Sequence, residues 1–318
     1  MKPPVSAFVL GAGLGTRLRP LTDKLPKPLV PIFNKPLATF ALDHLIDAGV
    51  SRFVINKHHC PEAYERILGG NGDRTNYRGY ELRFLHEPVL LETGGGIKNA
   101  HDLLGDEAFI LYNGDVLADF PIEPLIEAHC TSGNIATLAL RSCGAEKRIQ
   151  CDPQTGKITD LRGIIGGRSE PAFMFTGISI FSPRIHQHIP SSAPISIIPV
   201  LADLVRAGEN IGGHIVDEGL WFDIGTPEAY IDIHRLLSKA HHHFSYLPPD
   251  WLQHSSPSAS ISLEAKLLGC SAVGAGSVVP ANTILDDCIV WSDTIVPGGI
   301  TLANTILARG FCHVCEYK

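Results

Sequence analysis

Beyond residue 258 an apolar side chain returns every six positions: Ile261, Leu267, Val273, Val279, Leu285 and Trp291. A second phase runs through Val278, Ile284, Val290, Val296 and Leu302. Gly and other small residues fill the intervals, as in LLGCSAVGAGSVVPANTI. A period of six matches neither the helical repeat of about 3.6 nor the alternation of a strand. It suits a parallel β-helix, in which each short side sends one residue inward. The spacing predicts about three coils of 18 residues over 258–311. The pattern falters after Trp291, where Pro297 and Arg309 fall on positions that should be apolar, so the last coil is expected to be irregular.

The preceding part of the chain has a different rhythm. Ser6–Leu10, Arg52–Asn56, Tyr80–His86, Phe109–Asn113, Ile135–Arg141 and Phe175–Phe181 read as strands. Between the first two, Leu37–Ala48 places Leu37, Phe40, Ala41, His44, Leu45 and Ala48 near one helical face, with Gly49 as its C′ residue. This alternation predicts a Rossmann-like, doubly wound α/β domain over 1–240. Residues 241–257 break the pattern and are expected to link it to a hexapeptide-repeat tail over 258–318, a short left-handed β-helix. His241-His242-His243 in that link lack spaced partners and read as an exposed segment rather than a metal site.

Composition removes whole classes of function. The net charge is −7, against a basic nucleic-acid footprint. No apolar run reaches the roughly 18 residues of a membrane span, and the N-terminal apolar stretch is too short for a signal peptide. Eight Cys are scattered without a compact framework, which fits reduced thiols in a cytoplasm. Cys312-His313-Val314-Cys315 holds a single C-x-x-C, and a closed zinc site needs four ligands, so it reads as thiols on a terminal segment. Cys60 beside His58 and His59 has no oxyanion element and reads as part of a loop.

The chemistry concentrates in LGAGLGTRLRPLTDKLPKPLVPI, residues 10–32. Gly11-Ala12-Gly13-Leu14-Gly15 follows the first strand, where glycines let backbone N–H groups approach phosphates. It is neither the dinucleotide fingerprint nor a Walker A loop. Thr16, Arg17 and Lys27 sharpen it, because two fixed cations near such a loop suit a triphosphate. Pro26 and Pro28 restrict the backbone on either side of Lys27.

GLGTRLRPLTDKLPKPLVPI resembles the signature of the sugar-1-phosphate nucleotidyltransferases, G-x-G-T-R followed by P-K-P. Four later segments extend the resemblance. Asn113-Gly114-Asp115 resembles that family's metal-binding aspartate turn. Trp221-Phe222-Asp223-Ile224-Gly225-Thr226-Pro227 resembles its W-x-D-I-G-T-P segment, and Thr226-Pro227 also reads as N-cap and N1 of a helix. Glu92-Thr93-Gly94-Gly95-Gly96-Ile97 resembles the element lining base and sugar, in the form seen in N-acetylmuramate-1-phosphate uridylyltransferases. Phe175-Thr176-Gly177-Ile178 resembles the strand near the sugar. The F-x-E-K-P segment common in guanylyltransferase relatives is missing, which leaves the sugar-phosphate anchor unassigned.

The resemblance implies transfer of a nucleoside monophosphate from an NTP to a sugar 1-phosphate, with Mg²⁺ on Asp115 and Asp223. Arg17 and Lys27 would neutralise the phosphates, and Gly11, Ala12, Gly13, Gly15 and Thr16 would cradle the nucleotide. Glu87, Thr93 and Gly94 would meet the base side, and Glu87 would favour uracil or guanine. Gly95, Asn113, Thr176, Gly177 and Asp223 would face the sugar phosphate. The E-T-G-G-G-I segment leans to UTP and N-acetylmuramate 1-phosphate, while the tail leans to GTP and mannose 1-phosphate. A non-catalytic regulatory homologue and a bifunctional acyltransferase are the alternatives. The tail is expected to assemble a homo-oligomer.

Overall fold

The computed structural model describes residues 2–144, 146–166, 171–190, 194–240 and 244–316. His241-His242-His243 therefore lie outside the described residues. The chain divides into two compact units, one of residues 1–14 with 41–221 and the other of residues 15–40 with 222–318.

The first unit is built on a mixed 10-stranded sheet. Its heart is β1 (Ser6–Leu10), β2 (Arg52–Lys57), β3 (Tyr80–His86) and β4 (Phe109–Asn113), paired in parallel in the spatial order β4-β1-β2-β3. β1 and β4 bury every residue but the last, as parallel strands covered on both faces must. β5 (Ala136–Arg141), β6 (Ala172–Phe181) and β7 (Ile211–Ile215) extend the sheet beyond β4, β6 running antiparallel to it. Phe8, Val54, Ile97, Phe109 and Leu111 share one hydrophobic core.

Helix α1 (Leu37–Asp47) stops where its sequence says it should. Gly49 adopts φ 85°, and the Val50 N–H reaches back to the Leu45 carbonyl at 2.9 Å, closing a Schellman motif. Helix α2 (Glu92–Asn99) is formed by the E-T-G-G-G-I segment itself.

In the second unit the tail strands stack in parallel, as a β-helix requires. Ile261 lies over Val279, Leu267 over Leu285 and then Leu302, and Val273 over Val290 and then Leu307. Ile261, Leu267, Val273, Val279, Leu285, Val290, Val296, Leu302 and Leu307 line one core. The coil spacing is 18 from Leu267 to Leu285 (285 − 267) but 17 from Leu285 to Leu302 (302 − 285). That loss of one residue moves the inward position from the first phase to the second. It explains the faltering pattern, and it corrects the reading of Trp291 as an inward residue. Trp291 is half-buried outside the core, and its indole N–H donates to the Tyr230 hydroxyl at 3.1 Å. The last strands, Thr305–Ala308 and Phe311–Val314, form an antiparallel hairpin that ends the stack. The described part of 241–257 is packed: the Phe244 ring lies 5.8 Å from Phe40 and 5.5 Å from Trp251.

Candidate active site

Within the first unit the loop and the aspartate turn share one edge. Leu10 is the register partner of Asn113, so Gly11 and Gly114 leave the sheet side by side at the carboxyl ends of β1 and β4. Gly114 donates its N–H to the Leu10 carbonyl at 3.0 Å, and a Cβ on Gly114 would lie 2.6 Å from that oxygen. Ligand sites in open α/β sheets form at such carboxyl ends.

The start of the loop is tied down by a residue absent from the sequence-level site. Asn56, at the end of β2, accepts through Oδ1 from the Gly11 N–H at 2.7 Å and the Ala12 N–H at 3.3 Å. The Tyr64 hydroxyl donates to the Gly11 carbonyl at 2.8 Å. A Cβ on Gly11 would lie 2.5 Å from the Asn56 carbonyl oxygen, so glycine is required there for packing. Gly13 and Leu14 beyond the anchor are exposed. Burial, and then the Asp115 charge, hold the Tyr64 phenol above its usual range, so the Asp115 carboxyl is near enough to be felt at the loop anchor. Asp115 is half-buried, a carboxylate donor of the hard type that Mg²⁺ takes.

Glu87 is placed differently from expectation. It is 0% exposed, and its Oε1 accepts from Asn56 Nδ2 at 2.8 Å while Oε2 accepts from the Leu91 N–H at 3.1 Å. A buried carboxylate engaged on both oxygens orients Asn56 rather than reading a base. The Gly94 and Gly95 N–H groups point at the Ile195 carbonyl, at 2.8 and 3.1 Å. A Cβ on Gly94 would meet that oxygen at 2.8 Å, and one on Gly96 would meet Glu87 Oε1 at 3.1 Å, so this glycine run serves close packing of α2. Thr93 beside them is half-buried.

Thr176 is fully buried, its hydroxyl donating to the Ala139 carbonyl at 2.9 Å, so its side chain belongs to the sheet. Its carbonyl accepts from the Trp221 indole N–H at 2.8 Å. Gly177 follows in a strand irregularity at φ 81°, and a Cβ there would lie 2.5 Å from Asn113 Nδ2. Asn113 is thereby held against the Gly177 backbone.

The second unit brings Arg17, Lys27 and Asp223 together across some two hundred residues of sequence. Lys27 Nζ donates to Asp223 Oδ1 at 2.8 Å, and Arg17 Nη2 donates to Asp223 Oδ2 at 3.0 Å. Lys27 is 5% exposed, whereas the Arg17 side chain is 67% exposed. Burial opposes ionisation of Asp223, but the Lys27 and Arg17 cations outweigh it and hold the carboxyl below the usual carboxylate range. Gly15 sits at φ 60° with Lys27 Cβ and Thr22 packed where its own Cβ would be, and Thr16 is exposed. A Cβ on Gly225 would meet Arg17 Nη1 at 2.8 Å, so glycine there makes room for the guanidinium. Helix α3 (Pro227–Ala240) then begins as expected, with Thr226 Oγ1 accepting from the Ala229 N–H at 3.2 Å.

At Cys60 burial, and then Glu62, push the thiol up, the reverse of what a nucleophile needs. None of the eight cysteines forms a disulfide, and no helix among the described residues is long and apolar enough to cross a membrane.

The first unit carries a glycine loop and an aspartate turn at the carboxyl edge of its sheet, and the second unit carries Lys27, which is buried, paired with half-buried Asp223; each is the kind of feature found in enzymes that handle phosphates. The chain belongs to the nucleotidyl transferase family, which it matches over residues 6–240. It is 28% identical over 309 residues to the mannose-1-phosphate guanylyltransferase of Mycobacterium tuberculosis, covering 94% of this chain and 83% of the relative. It is 31% identical over 238 residues to the mannose-1-phosphate guanylyltransferase catalytic subunit beta of Drosophila pseudoobscura pseudoobscura, covering 71% of this chain but 60% of that protein. In fold it is similar to the inositol-1-phosphate CTP transferase from T. maritima, with a TM-score of 0.59 at 22% identity over 72% of this chain and 92% of the other. The chain is a sugar-1-phosphate nucleotidyltransferase.

Proposed function

We propose that the enzyme transfers GMP from GTP to mannose 1-phosphate. The observation that carries this is the match to the mycobacterial guanylyltransferase, which runs through the tail as well as the catalytic part. Relatives named as mannose-1-phosphate guanylyltransferases recur in insects and fish. They move the reading away from UTP and N-acetylmuramate 1-phosphate, toward which the E-T-G-G-G-I segment leaned. That segment forms the tightly packed first turns of α2, so its glycines carry a packing demand independent of the sugar.

In this reading an oxygen of the sugar 1-phosphate attacks the α-phosphorus, and pyrophosphate leaves in line. The nucleophile is already ionised near neutral pH, so positioning and charge neutralisation do the work. Lys27 is assigned to the charge developing at the α-phosphorus and Arg17 to the departing pyrophosphate. Gly11–Thr16 are assigned to the nucleotide, and Asn113 with Gly177 to the sugar side. Thr93 and Gly95 remain on the reading only as backbone and wall of that region.

Asp115 and Asp223 are proposed as carboxylates for a divalent ion, taken to be Mg²⁺, which when bound supplies positive charge to phosphate oxygens. Both offer oxygen donors that suit it. Asp223 would hold such an ion only by sharing its oxygens with Lys27 and Arg17, and its second assigned role is to position those two cations. The wider picture is a homo-oligomer assembled through the tail, where Val278 and Ile295 stack in register and are both exposed.

The test is a matrix of NTPs against sugar 1-phosphates, read by pyrophosphate release. GTP with mannose 1-phosphate should give the highest kcat/KM. A higher value for UTP with N-acetylmuramate 1-phosphate would overturn the substrate reading, and no release with any pair would overturn catalysis itself.

A further inference from the structure

The C-terminal hairpin brings together donors that the sequence keeps far apart. In the strand Phe311–Val314, side chains alternate between faces, so Cys312 and Val314 are exposed while half-buried His313 shares the other face with its register partner Ile306, and buried Cys315 lies just beyond the strand. The exposed Cys312 and the buried Cys315 do not share a donor group. His313 and Cys315 instead share a side, and there they meet Glu228 from the first turn of α3. One donor atom of each of Glu228, His313 and Cys315 lies within 4.8 Å of the others, alone among the described residues in forming such a group.

Two further observations single out this cluster. Cys315 is 3% exposed although it lies close to the end of the described chain. His313 Nε2 is buried and has no hydrogen-bond partner, and a buried ring nitrogen left unpaired costs free energy unless something binds it. The thiol feels the same proximity: burial, and then the Glu228 carboxylate, push it up to about 11, so without an ion Cys315 is an S–H.

We propose that Glu228, His313 and Cys315 form a zinc site. One sulfur, one imidazole nitrogen and one carboxylate oxygen are a donor set for a borderline-soft ion rather than for Mg²⁺ or Ca²⁺. Tetrahedral bonds of about 2.0–2.3 Å would set the donors about 3.5 Å apart, so the cluster must contract by at most about an ångström. Half-buried Glu228 can move that far by rotating its side chain. Three protein ligands leave a fourth position for water, which makes the site exchangeable rather than closed. On binding, the Cys315 proton is released and the ion joins the terminal hairpin to the start of α3, the helix that follows the Asp223 segment. The site serves to brace that segment and is separate from the proposed catalytic ion. The inference holds whichever sugar and base the enzyme takes.

The experiment uses the full chain, reduced and stripped of metal with a chelator, then titrated with Co²⁺ and with Zn²⁺ against a chromophoric chelator. One equivalent of Co²⁺ should give tetrahedral visible bands and a thiolate-to-cobalt charge-transfer band. Cys315→Ser should abolish that band, and Cys312→Ser should keep it. Glu228→Gln and His313→Gln should each weaken Zn²⁺ binding by at least about tenfold. Zn²⁺ should raise the Tm of the wild type by mass action and leave Cys315→Ser unmoved. Absence of a charge-transfer band in the wild type would overturn the site, as would its survival in Cys315→Ser or its loss in Cys312→Ser. If Cys315→Ser does not fold, the wild-type and Cys312→Ser spectra with the Glu228→Gln affinity decide the matter.

Discussion

Asn56 Nδ2 lies 2.8 Å from Glu87 Oε1, and the pair has no access to solvent through Glu87, which is fully buried. Through its other amide atom Asn56 holds the Gly11 and Ala12 N–H groups. A buried carboxylate on one strand end thus fixes the amide orientation on the next, and that amide fixes the first turn of the glycine loop.

Breaking this relay should loosen the loop and the fold together. Asn56→Ala removes acceptors for two N–H groups and a donor to a buried charge, which should cost about 2–3 kcal/mol of stability. Thermal unfolding reads that loss. Steady-state kinetics should show a raised KM for the nucleotide with KM for the sugar phosphate less affected. An unchanged nucleotide KM would separate the relay from substrate binding.

Lys27→Ala and Asp115→Ala should each lower kcat at least about a hundredfold, the scale of a preorganised electrostatic contact. Lys27→Ala also deprives Asp223 of a buried partner, so circular dichroism must show that the variant is folded. Near-normal turnover in either variant would remove that residue from its assigned role.

Buried histidines should make the protein acid-sensitive well above carboxylate titration. Burial first, with smaller charge and hydrogen-bond effects, brings His44, His129, His186 and His234 from the ordinary 6.5 down to about 4. A folded value below the unfolded one means that folding favours the neutral ring. Their contribution is complete above about pH 6.5 and is lost as pH falls through 4. Near pH 5.5 unfolding should take up about three and a half protons from these four histidines, measured as the pH slope of the unfolding free energy. A flat profile between pH 6.5 and 5 would refute it.

Inside the tail, position decides the cost of a substitution. Leu285 is 0% exposed and stacks between Leu267 and Leu302, so Leu285→Ala should cost about 2–5 kcal/mol. Trp291→Phe removes chiefly the hydrogen bond to the Tyr230 hydroxyl and should cost about 1 kcal/mol. Denaturant unfolding of both variants checks the order, which would invert if Trp291 were an inward residue.

Ile295 is 77% exposed beside Val278 at 37%. Ile295→Lys should lower self-association in sedimentation velocity while circular dichroism shows an unchanged fold. A wild type already monomeric, or a variant that associates equally, would remove the tail stripe as the contact. A point substitution keeps Phe244 and Trp251 in their contacts with Phe40, which removal of the chain beyond residue 240 would abolish.

Elements governed by local periodicity were legible in the chain. The parallel strands, the Schellman end of α1 at Gly49, the Thr226 cap and the six-residue repeat all depend on neighbours within a few positions. Their side-chain spacing is written in order along the sequence. The family motifs singled out Arg17, Lys27 and Asp223, but they paired Asp223 with Asp115 as metal ligands and gave no sign that it would bond both cations. Asn56 left only a weak trace, a polar residue closing an apolar strand.

Partnership over long separations was decided by the tertiary structure. Asp223 binding both cations, Glu87 serving Asn56 rather than open solvent, and Gly94 packed under Ile195 each depend on which strand ends become neighbours. The C-x-x-C shows the same limit, since Cys312 is exposed while folding gathers Glu228 and His313 around Cys315. The sequence by itself determined which chemistry-bearing residues the chain carries and the local shapes that present them. Only the fold determined which of them meet, because burial and pairing are set by contacts between segments that no local spacing specifies.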